Sequence, residues 1–258
     1  MSGSVHPTAI IDPDVVIAED VAIGPYAVVE AGVSIASGCS LAAHAVVRKY
    51  SVLEENVSVD SFAVVGGSPQ DLGFSEETVS SVHIGKSTVI REGVTINRST
   101  QEDGVTRVGE GCYLMANSHV AHDCHLGDRV ILANNTMLAG HVHVGDGSFL
   151  GGGCGIHQHV NIGKLVMIAG NASITLDVPS YLMVAERSTV TGLNLVGLKR
   201  TSTREAISDL RECYKAVYMK PGDPAKLAKS IAAHTPEAVE FLSCFESSRR
   251  GRFSRSRA

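Results

Sequence analysis

The sequence predicts an all-β solenoid plus α: a prism of short parallel strands followed by a small helical unit. Three observations carry this. Stepping by six from Val5 gives Val5, Ile11, Ile17, Ile23, Val29, Ile35, Leu41, Val47, Leu53, Val59 and Val65, and none of these is polar. Four places later in each hexad stands a small or β-branched residue: Ala9, Val15, Val21, Ala27, Val33, Cys39, Ala45, Ser51, Val57 and Ala63. Tryptophan is absent and aromatics make up 5% of the chain, so the core has to be built from Val, Ile, Leu and Ala, which suits thin repeated layers.

A helix repeats near 3.6 residues and an ordinary strand at 2, so a sustained period of six is neither. It is the signature of a hexapeptide β-helix. Each hexad supplies a short strand and a turn, and three hexads close one triangular coil. Successive coils then lie about 4.8 Å apart, and residues one full coil apart stack. The general handedness rule favours right-handed crossovers; the left-handed winding is implied only by the resemblance given below.

The phase breaks after Val65, resumes at Ile84, Ile90 and Ile96, breaks again, and runs from Val108 to Ile174. Two insertions therefore leave the prism, GGSPQDLGFSEETVSSVH near 66–83 and RSTQEDGVTR near 98–107. Loops leaving a rigid scaffold are where function usually sits. Cys39, Cys112, Cys124 and Cys154 take the small-residue slot, and no CxxC pair occurs, so the six cysteines read as reduced cytosolic thiols packed as small hydrophobes.

The hexads end near Pro179, which divides the chain into a β-helix over 1–190 and a helical C-terminal part over 191–258. Ser202-Thr203-Arg204-Glu205 reads as a capping box with Ser202 at the cap. Ile207, Leu210, Tyr214, Val217 and Tyr218 follow as an apolar stripe, stopped by Pro221 and Pro224. Pro236 opens a second helix through Ala238, Val239, Phe241, Leu242 and Phe245. The tail SSRRGRFSRSRA has five arginines and reads either as a contact for an acidic partner or as a disordered, solubilising end.

A net charge of -5 and a pI near 6.1 exclude a global basic footprint for nucleic acid. No apolar run approaches the ~20 residues that span a bilayer, and no basic start precedes an apolar one. A cytoplasmic location without stable membrane insertion is the expectation.

The chemistry-bearing stretch is SHVAHDCHLGD, residues 118–128. In hexad VAHDCH, His122 and Asp123 fall on the turn, pointing away from the packed interior. His125 should stack with His143, and His141 with His159; His119 and His157 complete a histidine-rich face. Three readings compete: a zinc site, for which no clean ligand motif exists; a solvated set, the better reading for His125, His143 and His159; and a general base, His122, whose imidazole a carboxylate at Asp123 would orient.

The insertion with PQDL, the stretches NSHVAHDCHLGD, LANNTMLAGHVHVGD and GIHQHVNIG, and then LNLVGLKR and REAI before the helices, resemble the UDP-N-acetylglucosamine O-acyltransferases of lipid A biosynthesis over nearly the whole chain. The resemblance implies a homotrimer of left-handed β-helices with active sites in the clefts between chains. It implies a 3-hydroxyacyl donor on acyl carrier protein, a UDP-N-acetylglucosamine acceptor, and no cofactor or metal. It makes His122 the base, Asp123 its orienting carboxylate and Gly140 the backbone amide for the oxyanion. It places Gln70, Asp71, His119, His141, His157 and Gln158 around sugar, acyl chain and nucleotide, and Asn194 and Arg200 on the nucleotide side. Residues near Met167 to Ser173 would limit acyl length.

Departures from the family pattern concern recognition. Gly73 stands where a lysine usual after QDL would be, Val196 replaces an acidic residue, Thr201 replaces a second arginine, and AERSTVTGLNLVG is short and lacks a histidine. The reaction type is therefore better specified than the acceptor, and a paralogue acylating a 3-amino sugar nucleotide, a non-catalytic trimeric scaffold and a zinc hydratase stand as alternatives.

Overall fold

The structure, a computed structural model, describes residues 3–247 and 252–256. Two- to five-residue strands build three sheets of nine, eight and eleven strands, parallel throughout save for one hairpin, the walls of a left-handed triangular β-helix. The register follows the sequence: Val64 pairs with Val46, Tyr113 with Ile131 and His125 with His143. The apolar hexad positions from Ile23 onward fill the prism, among them Ile35, Leu53, Ile90, Leu114, Leu132 and Leu150. Val5 departs from that pattern and is exposed, because the first coil has no coil beyond it to cover its open end.

Turning the corner every six residues needs a backbone that ordinary strands do not adopt. From Tyr26 onward each hexad corner holds one residue in a left-handed conformation: Tyr26, Asn56, Asn117, Arg129, Asn135 and Asn171 all have φ between 54 and 61°, and Gly93, Gly111 and Gly153 occupy the same place in other coils. A side chain with a Cβ is strained there, by ~1–2 kcal/mol, while Asn and Gly tolerate it. Asp123, His141 and His159 occupy this strained place at φ 60, 60 and 62°, so the chemistry-bearing residues hold positions where a scaffold alone would favour Gly or Asn.

The four buried wall cysteines behave as packing. Cys39, Cys112 and Cys124 aim their S–H groups at the carbonyls of Glu54, Gly127 and Ala139, and all six cysteines are free thiols. Burial pushes the Cys124 thiol up to about 12, so it carries no thiolate at neutral pH and offers no nucleophile beside His122.

Both insertions leave the same corner in consecutive coils. Val64 pairs with Thr95, and Thr95 with His119, so the long coil of the first insertion is followed directly by that of the second, and then by the corner holding His122. Strand pairing trims the insertions: Ser81–Ile84 and Val105–Val108 are strands and pair with each other.

Beyond the last hexads the walls continue as a hairpin, Leu182–Ala185 against Thr189–Leu193, so strand gives way to helix at Asn194. Four helices follow: α1 (Leu195–Thr201), α2 (Arg204–Tyr218), α3 (Pro224–Ala228) and α4 (Pro236–Ser247). Two expectations are corrected. The cap of α2 is Thr203, whose hydroxyl accepts from the Ala206 amide, whereas Ser202 ends α1, a helix not anticipated. Pro224 does not merely stop a helix; it opens α3 at a position where its missing N–H is harmless, with Asp223 as cap. The tail is not a free end over its described part: Phe253 is buried, its ring centroid 4.8 Å from that of Phe245 with the rings tilted, and Arg255–Ser256 pairs with Thr189–Val190. Three of the five tail arginines, Arg249, Arg250 and Arg257, lie outside the described residues.

The corner rule has a direct test at exposed Arg129, φ 54°. We expect Arg129→Gly to leave the melting temperature unchanged or raise it slightly, and Arg129→Val to lower it by several degrees, the equivalent of roughly 1–2 kcal/mol. Equal melting temperatures for the two variants would show that the corner does not require this conformation.

Candidate active site

The corner between the first and second sheets gathers the predicted residues. Strand His119–Val120 leads into the turn that presents His122 and Asp123; the next coil brings Gly140 and His141, and the one after that His157, Gln158 and His159. The His141 amide donates to the His122 carbonyl at 3.0 Å and the His159 amide to the Gly140 carbonyl at 3.1 Å, which fixes this succession. The expected stacks form: His125 on His143 at 4.9 Å and His141 on His159 at 4.5 Å between ring centroids.

His122 Nδ1 lies 2.8 Å from Asp123 Oδ2. With the carboxylate ionised, Nδ1–H donates to it and the Nε2 lone pair stays open. The His122 ring is outside the prism, yet only 5% exposed. The sequence reading of a turn facing outward thus needs one addition: the second insertion and Gly140 cover it. A Cβ at Gly140 would lie 2.4 and 2.6 Å from His122 Cε1 and Nε2. Glycine is required there by the imidazole packed on it. The Gly140 amide donates to no described residue.

Asp123 is anchored from several sides. Ser99 Oγ donates to Oδ1, Thr100 Oγ1 donates to Oδ2 at 2.7 Å, and the Thr100 amide reaches Oδ2 at 3.3 Å. Thr106 Oγ1 receives the Asp123 amide at 2.8 Å. Burial pushes the Asp123 carboxyl up, but the hydrogen bonds from Ser99, His122 and Thr100 outweigh it and hold the group below the usual carboxylate value. Asp123 is therefore an anion at neutral pH. Ser99, Thr100 and Thr106 escaped the sequence reading, since serine and threonine in a loop carry no signal of their own; only the adjacency of the two coils on one corner reveals them.

Around this pair, His119 Nδ1 meets Thr95 Oγ1 at 2.7 Å, and the His141 ring stands edge-on to His122 at 5.1 Å. His122, Asp123 and His141 have donor atoms within 4.8 Å of one another. Both Asp123 oxygens are already engaged by hydrogen bonds, however, so a metal ion would have to displace the contacts that hold the carboxylate. Asp71 is exposed on the first insertion, where its carboxylate receives the Gly73 amide at 2.8 Å; its charge is felt at His141. Gln70 is exposed beside it.

Asn194 and Arg200 are not brought to this corner. Asn194 caps α1, its Oδ1 accepting from the Gly197 amide at 3.1 Å and its Nδ2 donating to the Leu165 carbonyl at 2.8 Å. Leu165 lies on the turn between the second and third sheets, a different edge of the prism. Arg200 is exposed near the end of α1.

The histidines give the site a pH signature. Burial and then the neighbouring His122 hold His119 below the ordinary imidazole value of 6.5; burial does the same at His141, partly offset by the Asp123 carboxylate and reinforced by the neighbouring His159 and His122. A group with a depressed folded value stays neutral while the unfolded chain takes up a proton, so stability falls as pH drops below about 6.5. We expect a lower melting temperature at pH 5.5 than at 7.5, with a smaller difference in His119→Asn. An unchanged pH dependence in that variant would remove His119 as a contributor.

Comparison with known proteins agrees with this architecture. The family profile described as Udp N-acetylglucosamine O-acyltransferase, Domain 2, matches residues 177–253, and bacterial transferase hexapeptide repeats match 14–49 and 106–140. The chain is 39% identical over 236 residues, covering 91% of itself and 90% of its relative, to the acyl-[acyl-carrier-protein]–UDP-N-acetylglucosamine O-acyltransferase of Campylobacter concisus. It is 41% identical to the enzyme of that name from Syntrophobacter fumaroxidans, covering 83% of itself and 84% of that protein. The solved UDP-N-acetylglucosamine acyltransferase of Campylobacter jejuni superposes with a TM-score of 0.93 at 33% identity, covering 98% of this chain and all of that one. With hexads, insertions, the His122–Asp123 corner and the helical end in the same order, the chain belongs to the acyl-[acyl-carrier-protein]–UDP-N-acetylglucosamine O-acyltransferase family.

Proposed function

We propose that the chain moves a 3-hydroxyacyl group from acyl carrier protein to the 3-hydroxyl of UDP-N-acetylglucosamine, the first step of lipid A biosynthesis, in the cytoplasm. The observation that carries this is the 2.8 Å contact of His122 Nδ1 with an anchored Asp123 carboxylate. It leaves Nε2 as a proton acceptor with a fixed orientation. The sugar hydroxyl gives its proton to Nε2 as its oxygen attacks the thioester carbon. Negative charge builds on the carbonyl oxygen, where the Gly140 amide serves as donor. The C–S bond then breaks, and the proton passes from His122 to the departing thiolate. Asp123 holds the ring and stabilises the imidazolium. The reaction needs a base and an oxyanion donor and no cofactor.

Gln70, Asp71, His119, His141, His157 and Gln158 bind sugar, acyl chain and nucleotide, and Arg200 holds phosphate. Asn194 and Arg200 stand near a prism edge other than that of His122, which supports a homotrimer in which one chain's nucleotide contacts complete its neighbour's site. The acyl chain lies between prisms, limited near Met167 to Ser173. Val196, 61% exposed on α1, puts an apolar side chain where the family pattern has an acid, so the acceptor must be tested beside a 3-amino sugar nucleotide.

Acyl transfer assayed with UDP-N-acetylglucosamine, its 3-amino analogue and several 3-hydroxyacyl carrier proteins should show turnover that His122→Ala reduces by at least ~10²-fold. Mixed trimers refolded from His122→Ala and Arg200→Ala chains should regain activity that neither has alone. Unimpaired His122→Ala would remove the base; failure of the wild-type chain on every UDP-sugar would favour a scaffold; mixed trimers no better than their parents would remove the shared site.

A further inference from the structure

The most deeply buried charged side chain among the described residues lies outside the catalytic cluster. Arg98, at the start of the second insertion, is 1% exposed. Its guanidinium points into the first insertion. Nη1 donates to the Thr78 carbonyl at 2.5 Å and reaches Ser80 Oγ at 3.5 Å. Nη2 donates to Glu76 Oε2 at 3.0 Å and lies 3.4 Å from the Glu76 carbonyl. The Phe74 ring stands 4.8 Å from the guanidinium carbon. A planar fork with five donors suits such a set of converging acceptors, and a lysine cannot reproduce it.

Neighbouring contacts lace the two insertions together. Ser80 Oγ donates to the Ser99 carbonyl at 2.6 Å, the Asp103 amide to the Val79 carbonyl at 2.8 Å, and the Arg98 amide to the Gly67 carbonyl at 2.9 Å. The next two residues after Arg98 are Ser99 and Thr100, whose hydroxyls grip Asp123. Gly104 permits this tight loop: a Cβ there would fall on Ser99 Oγ. One continuous chain of contacts thus runs from the PQDL insertion through Arg98 to the carboxylate that orients His122.

We propose that Arg98 is a positioning residue that ties the conformation of the first insertion to the placement of Asp123. The buried guanidinium holds the backbone of 76–80 against 98–100, and this fixes the direction from which Ser99 and Thr100 approach the carboxylate. Loosening the fork shifts Asp123 and, with it, the His122 ring. Removal of such a fork takes the guanidinium donors from the Thr78 carbonyl and the Glu76 carboxylate and leaves a rate-sensitive geometry unsupported. Because the first insertion also carries Gln70 and Asp71, substrate seated on that insertion reinforces the same placement. The proposal rests on reading His122 as the base.

The test is steady-state kinetics of the full-length chain for Arg98→Lys, Thr100→Val, the double variant, and His122→Ala in the same acyl-transfer assay, with melting temperatures recorded for each. We expect Arg98→Lys to lower kcat by at least about tenfold, more than it raises KM for the nucleotide sugar. Acting through Thr100 and Ser99, it should make the double variant's kcat lie within about twofold of the lower single variant. If Arg98→Lys does not fold, Glu76→Gln, which alters only the exposed partner of the fork, takes its place in the same cycle. An effect on KM alone, or multiplicative losses in kcat, would overturn the proposal. A fully active His122→Ala would instead overturn the base assignment, whatever the Arg98 variants do.

Discussion

The site depends on where one carboxylate is held. Asp123 accepts hydrogen bonds from Ser99, Thr100 and His122, and its own amide is tied to Thr106. Its short side chain projects from a residue at φ 60°, so backbone as well as hydrogen bonds determine its position. The histidine follows from it. A carboxylate on Nδ1 selects the tautomer, and the ring is pressed between the loop and Gly140. Loss of the carboxylate's anchors would leave the imidazole without a preferred orientation even with every catalytic residue present.

A β-helix suits this arrangement because its coils repeat at fixed spacing and its core is nearly solid. The wall residues next to the site, Val120, Cys124, Leu126, Leu138 and Val142, are at most 3% exposed. Such packing leaves little room for the turn to shift. The left-handed conformation of Asp123, His141 and His159, shared with the other corners of the prism, is sustained by this surrounding order. Both insertions rise from the corner that bears His122, so the scaffold places two irregular segments over one regular one. The regular part supplies position, and the irregular part supplies cover and hydrogen-bond donors.

The fold was legible in the hexads because inward apolar residues recur in phase along each of three runs, and the same phase set the stacks of His125 on His143 and of His141 on His159. The His122–Asp123 pair could be read for the same reason: once the phase is known, the turn is known. What could not be read was the environment of that pair. Ser99 and Thr100 have no chemical signature, and their approach to Asp123 depends on two loops emerging from successive coils. Arg98 looked like any loop arginine, though it is buried. At the helical end, a shift of one residue moved the cap from Ser202 to Thr203, because both are good capping residues and only the helix's first turn decides between them. The tail misled most clearly: its arginines suggested a solvated end, while Phe253 packs on Phe245, which itself meets Phe241 and Tyr218.

The account stands on a single protonation pattern, which nitrogen-15 NMR of histidine-labelled protein reports directly. The His122 signals are assigned by their loss in His122→Gln. At neutral pH the account requires a proton on Nδ1 and a bare, pyridine-like Nε2. A His122 whose proton sits on Nε2, with Nδ1 bare, would contradict it, since that ring could donate to the sugar hydroxyl but could not take its proton.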